Sequence, residues 1–152
     1  MDPLTHLVIT GKVFGRDRAV LLAGVLPDAP FYLTYPGWVI VQGKLEAALK
    51  TQEWPEPPAW MEWGHHVFHS LPLVTLAAWL VYRRNGRLPR RVFGAWALHI
   101  VIDIPTHSRR HWAPRFLWPF SRLTVDGISW VELALRAVHY VRLKVGSVSS
   151  TI

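Results

Sequence analysis

His99, Asp103 and His107 are the residues of this chain most suited to chemistry. They lie in Trp96–His111, WALHIVIDIPTHSRRH, where the histidines stand four residues to either side of the carboxylate. Four residues along an α-helix is about 400° of rotation, so His99 and Asp103 share a face if the segment is helical. Pro105 disfavours helix at Ile104 and removes a backbone donor, so the helix is expected to end near Ile104. His107 would then return toward the same point from the turn. Imidazole and carboxylate together on an otherwise apolar helix are what a divalent metal site requires. The plainer reading is a hydrogen-bonded core histidine and an aspartate that bonds local backbone. An unpaired carboxylate on an apolar face is costly, and three such groups at this spacing favour the metal.

Other candidates sit at the edges of apolar segments. His6 follows Asp2 by four residues, and Asp28 stands on a rigid turn between Pro27 and Pro30. His65 and His69 are again four apart, with His66 one step off their face. Taken alone, Asp28 reads as an Asx-type turn at a helix stop. Taken together, His6, Asp28, His65, His69, His99, Asp103 and His107 offer too many ligands for one catalytic zinc, which takes three protein ligands and a water. They suit two or three ions, with Asp103 as the bridging carboxylate. Paired metals about 3.5–4 Å apart clamp a phosphoryl group and activate water. Zinc is the expected metal, with Mn or Fe as the fallback, because His/Asp sites select weakly among first-row ions. Asp28 is either a ligand or the catalytic base. The chain has no cysteine, which excludes thiolate ligands, disulfides and cysteine nucleophiles.

The elements that must position these residues read as all-α. The 152 residues, 51% of them hydrophobic, suffice for one domain with a real core, expected over 1–145, followed by a frayed tail at 146–152. A short buried helix is expected from Arg18 to Leu26. Residues 31–60 are aromatic and proline-rich, with one short helix at Lys44–Lys50. The run WPEPPAW, Trp54–Trp60, cannot be regular helix or central strand and reads as an ordered surface loop or lid. Residues 66–82 and 92–104 should form an antiparallel helical hairpin joined by a basic turn, with Pro72 in a first turn or at a kink. Residues 128–143 show apolar positions at helical spacing and read as an amphipathic closing helix. The sum is a compact helical bundle with long Pro/Trp-rich loops.

Charge adds the partners. The formal net charge is +7 and the chain holds nine Trp, which favours anionic partners and interfaces. Arg109, Arg110 and Arg115 follow the His/Asp motif and are the candidates for substrate phosphate; as plain surface charge they would only be solvated. The anionic phosphoester is the expected substrate. Arginines 83–91 beside an apolar hairpin fit an anionic membrane surface, although neither apolar run reaches the roughly 18–20 residues of a membrane span. The start lacks a basic region before an apolar run, so no cleavable signal peptide is expected. A non-enzymatic module with a structural metal, docked on lipid or an acidic partner, is the competing class. Nucleic-acid binding through the Arg/Trp/Phe loop at 109–122 is weaker, since no recognisable nucleic-acid motif accompanies it. The sequence leaves the oligomeric state open.

Five stretches in order, MDPLTH at the start, LAGVLPD at 22–28, HHVFHSL at 65–71, LHIVIDIPTH at 98–107 and LWPFS at 117–121, resemble the predicted membrane-bound metal-dependent hydrolases. That family is also described as LexA-binding, inner-membrane-associated hydrolases, and is itself similar to zinc-dependent phospholipase C and the fungal single-strand nucleases. The resemblance implies an all-α, phospholipase C-like fold with a three-zinc cluster. It implies that His99 and Asp103 are ligands, with Asp103 bridging and His107 following. It matches His65 and His69 to the family's middle motif, His6 to the histidine near its start and Asp28 to its Pro-Asp. His66 departs from the usual Arg, and Phe68 from a frequent Thr. The location implied is cytoplasmic, or peripheral on the cytoplasmic face of the inner membrane.

Overall fold

A computed structural model describes residues 2–51, 54–109 and 112–130. Seven α-helices and one 3-10 turn occupy them, and no strand occurs among the described residues. In chain order these are α1 (Pro3–Phe14), α2 (Arg18–Ala23), the 3-10 turn Leu26–Asp28, α3 (Ala29–Val41), α4 (Leu45–Thr51), α5 (Ala59–Phe68), α6 (Leu71–Asn85) and α7 (Arg90–Thr106).

Local chemistry explains several boundaries. Asp2 caps α1, its carboxylate accepting from the Thr5 N–H at 3.0 Å, and Pro3 fills the first helical position, where a missing N–H costs nothing. Ser70 does the same for α6 by accepting from Leu73 N at 3.2 Å, with Pro72 in the first turn. Gly86 in the left-handed conformation (φ 64°) ends α6. A short turn then leads into α7, which packs on α6, so the expected hairpin is present.

Four expectations are corrected. The helix expected at 18–26 stops at Ala23 and tightens into the 3-10 turn that holds Asp28. The first part of the aromatic, proline-rich stretch 31–60, for which no helix was expected before Lys44, belongs to α3 (Ala29–Val41) despite Pro36 in its interior. Burial decides there: Tyr35 and Val39 of α3 pack with Met61 of α5, and this contact outweighs the propensity penalty. The helix expected at 66–82 is two helices, broken at His69 and Ser70. Helix α7 runs past Ile104 through Pro105 to Thr106. Its end is tied down from outside: Ile128 N–H donates to the Pro105 carbonyl and Gly127 N–H to that of His107, both at 2.9 Å. A Cβ at Gly127 would lie 2.2 Å from the Pro105 oxygen, so only glycine permits that approach.

Helix α4 forms where the short helix at 44–50 was expected. Trp54–Pro58 is irregular, as the WPEPPAW reading requires, but its last two residues, Ala59 and Trp60, already belong to α5. The Tyr35 hydroxyl donates to the Pro55 carbonyl and pins this segment to α3. The closing helix expected at 128–143, apart from its first three residues, lies outside the described residues, as do the tail at 146–152 and Arg110. No helix among the described residues is long and apolar enough to cross a membrane.

Two small apolar cores accompany a polar centre. One joins Val20, Ala23 and Ala95; the other joins Tyr35, Val39 and Met61. In that centre His6, His69, His99 and Asp103 are completely buried. Packing this many titratable groups where Leu and Val would serve stability better is a cost that stability alone does not explain.

Candidate metal centre

Four segments deliver the cluster. His6 comes from α1, Asp28 from the 3-10 turn, His65 from α5 with His69 just past its end, and His99 and Asp103 from α7, with His107 just past its end. The His6 and His99 rings stack at 3.9 Å between centroids, as do those of His65 and His69. His6 Nε2 lies 3.0 Å from Asp103 Oδ1, across 97 residues of sequence. His99 Nε2 lies 3.2 Å from Asp103 Oδ2, which realises the shared helical face.

The imidazole tautomers are set by backbone carbonyls, which only accept. His69 Nδ1 is 2.9 Å from the His65 carbonyl and His99 Nδ1 is 2.9 Å from the Gly24 carbonyl, so each Nδ1–H donates. In the neutral rings, Nε2 therefore carries a lone pair. These two Nε2 atoms are 3.1 Å apart. Asp28 Oδ1 stands 3.2 Å from that of His69 and 3.6 Å from that of His99, and Asp103 Oδ2 stands 3.3 Å from that of His69. With both rings neutral, four acceptors surround one point with no donor of their own to separate them. Ligands about 2.1 Å from a tetrahedral ion lie roughly 3.4 Å from one another, close to these separations. Imidazole held by Nδ1–H to a carbonyl, with Nε2 presented inward, is also how metal-ligating histidines are oriented. The donor set therefore fits a divalent cation.

The ligand atoms fall into two groups, each compact enough to hold an ion. His6, Asp28, His99 and Asp103 form a fully buried group; Asp28, His65 and His69 form a second. Asp28 is common to both. Asp103, expected as the bridge, belongs to the first and reaches the second through its contact with His69. His107 belongs to neither group; its Nδ1 lies 3.5 Å from Asp103 Oδ1 and 3.2 Å from the Asp103 carbonyl.

The electrostatics favour positive charge at the centre. Burial would raise the carboxyls of Asp28 and Asp103, but their imidazole partners outweigh it and hold both well below the usual carboxylate range. Burial lowers His99, and the carboxylates of Asp103 and Asp28 overcome this and raise it to about 9. A proton there acts as a weak substitute for a cation. His107 is pushed down to about 4, chiefly by burial, so its ring is neutral.

The cluster opens to one side. Asp28, His65 and His107 line a cavity of about 330 Å³, and His65 also borders a larger one of about 740 Å³. Arg109 and Arg115, the candidates for substrate phosphate, line the larger cavity. Two residues there were missed. Tyr32 lines the smaller cavity beside Asp28, and burial, then the charges of Asp28 and Asp103, keep its hydroxyl protonated. His66 lines the larger cavity, with both ring nitrogens buried and without a hydrogen-bond partner among the described residues. Its position off the His65/His69 face was visible in sequence; its proximity to Arg115 was not.

Compared with protein-family models, curated proteins and solved structures, the chain matches none.

Proposed function

We propose that this chain is a metal-dependent hydrolase of phosphoesters that holds two or three zinc ions. The observation that carries this reading is the convergence of His69 Nε2, His99 Nε2, Asp28 and Asp103 at 3.1–3.6 Å, with both imidazoles oriented by carbonyls. The adjoining cavities support a site for substrate as well as for metal. A divalent cation held there supplies Lewis-acid chemistry, polarising a phosphoryl oxygen and acidifying a water. The chain's own residues do the rest. Arg109 and Arg115 bind non-bridging oxygens of the phosphoester from the larger cavity. Asp28, held anionic, is a weak base, so it suits a ligand and an acceptor that orients water better than a general base at neutral pH. Tyr32, held protonated, donates a hydrogen bond to a developing negative oxygen.

Motif order and all-helical architecture together support placing the chain among the membrane-bound metal-dependent hydrolases, with a fold like that of zinc-dependent phospholipase C. The complete burial of His6, His99 and Asp103 favours a second reading for that group alone, a structural ion closed to solvent. Metal per chain and turnover of bis(p-nitrophenyl) phosphate and p-nitrophenyl phosphate, before and after chelation, test the proposal. Chelator-sensitive turnover restored by zinc is expected. Bound metal with no turnover of either ester would leave only the structural reading.

A further inference from the structure

The smaller cavity is lined both by residues of the cluster and by aromatic rings. Phe31, Tyr35, Trp54 and Trp112 line it, and all but Tyr35 also border the larger cavity. The rings hold one another in place. Phe31 stacks on Tyr35 with centroids 4.7 Å apart, and Trp112 meets Phe31 at 4.4 Å and Tyr35 edge-on at 5.4 Å. Tyr35 is buried and its hydroxyl is tied to Pro55. Trp112 is the one non-glycine residue among those described with positive φ, at 55°, a conformation that is uncommon for a bulky residue. Such backbone strain persists where surrounding structure over-determines it, often at ligand clamps.

We propose that this cavity binds a planar aromatic group of the substrate, so that the phosphoester acted on is an aryl or nucleobase-bearing one. The cavity of about 330 Å³ lies at the small end of ligand pockets, large enough for a ring system and short for an extended acyl chain. Preformed ring faces select a flat partner over a flexible chain of equal apolar area, through offset and edge contacts that an alkyl group cannot match. Asp28, His65 and His107 share that lining and would meet a phosphoryl group attached to such a ring, and Arg109 and Arg115 line the larger cavity, which His65 also borders. The inference rests on the proposed function for the group that is cleaved, but binding requires no turnover.

The test is calorimetric titration of the protein as purified with phenylphosphonate, hexylphosphonate and methylphosphonate, whose C–P bonds hydrolysis spares. Phenylphosphonate is expected to bind about tenfold more tightly than hexylphosphonate and more tightly still than methylphosphonate. Trp54→Ala should reduce that preference; Trp54 is 43% exposed, so its loss spares the core. Trp112→Ala should abolish it and Trp112→Phe largely restore it, with metal content unchanged in all three. AMP against ribose 5-phosphate, on metal-depleted protein, separates the two sources. A tenfold preference for AMP assigns a nucleobase, and equal binding assigns a simple aryl group. Equal affinity for phenylphosphonate and hexylphosphonate, or a preference indifferent to Trp54 and Trp112, would overturn the inference. Absence of metal or of hydrolysis would instead overturn the proposed function and leave the ring preference standing.

Discussion

Asp103→Asn separates a metal site from a buried hydrogen-bond network by the sign of its effect. Asp103 is completely buried, with imidazole nitrogens of His6, His69 and His99 at 3.0, 3.3 and 3.2 Å from its oxygens. Asparagine keeps the shape, removes the charge and turns one oxygen into an amide NH2, which donates but does not ligate. If a cation fills the centre, its affinity falls by at least the roughly 100-fold seen when outer-shell partners of metal ligands are lost. Metal at a hundred times its Kd contributes about 2.7 kcal/mol of stability, of which about 0.4 kcal/mol survives a hundredfold loss of affinity. At about 2–4 °C per kcal/mol for a domain of this size, Tm of the metal-loaded protein should fall by about 5–9 °C. Metal-free protein should change little or gain only above about pH 9, where His99 is neutral and the new amide donors meet Nε2 lone pairs; below that pH the protonated His99 loses its carboxylate partner. If Asp103 instead anchors imidazolium groups, the substitution costs about 3–5 kcal/mol in metal-free protein. Elemental analysis and thermal melts of both proteins, with zinc and with chelator, decide the matter. Unchanged metal content and an unchanged zinc-dependent Tm shift in Asp103→Asn would refute the reasoning.

Protein prepared without chelator should carry at least two zinc-like ions per chain by elemental analysis, and EDTA should lower its Tm by several degrees. The metal-free cluster holds a proton on His99 up to about pH 9, and metal must displace it, so zinc affinity should rise with pH by up to about tenfold per unit until pH 9. Calorimetry in buffers of different ionisation enthalpy should detect that released proton at pH 7. Gly24→Ala would place a Cβ 2.3 Å from Thr10 Oγ1 and displace the carbonyl that fixes His99. It should destabilise the fold by about 1–3 kcal/mol and reduce metal occupancy in the same samples; normal occupancy with lowered Tm would limit Gly24 to packing.

The sequence by itself determined the features set by spacing within one element. His99 and Asp103 share a face because four residues nearly complete a helical turn, and the structure brings Nε2 and Oδ2 to 3.2 Å. Pro72 suits a first helical turn because its missing donor is not needed there, a local effect, although the break at His69 and Ser70 before it went unread. The absence of cysteine confines any ligand set to nitrogen and oxygen. Tertiary structure decided what depends on distant partners. Helix α3 forms around Pro36 because Tyr35 and Val39 find Met61, which no local propensity reveals. Helix α7 continues through Pro105 because backbone from residues 127 and 128 satisfies its last carbonyls. The contact of His6 with Asp103 across 97 residues, and the tautomers set by the carbonyls of Gly24 and His65, arise only when helices pack. Tyr32 and His66 stayed hidden for the same reason: a residue's exposure to a shared cavity is a property of the surfaces around it, and the chain's own periodicity does not encode those surfaces.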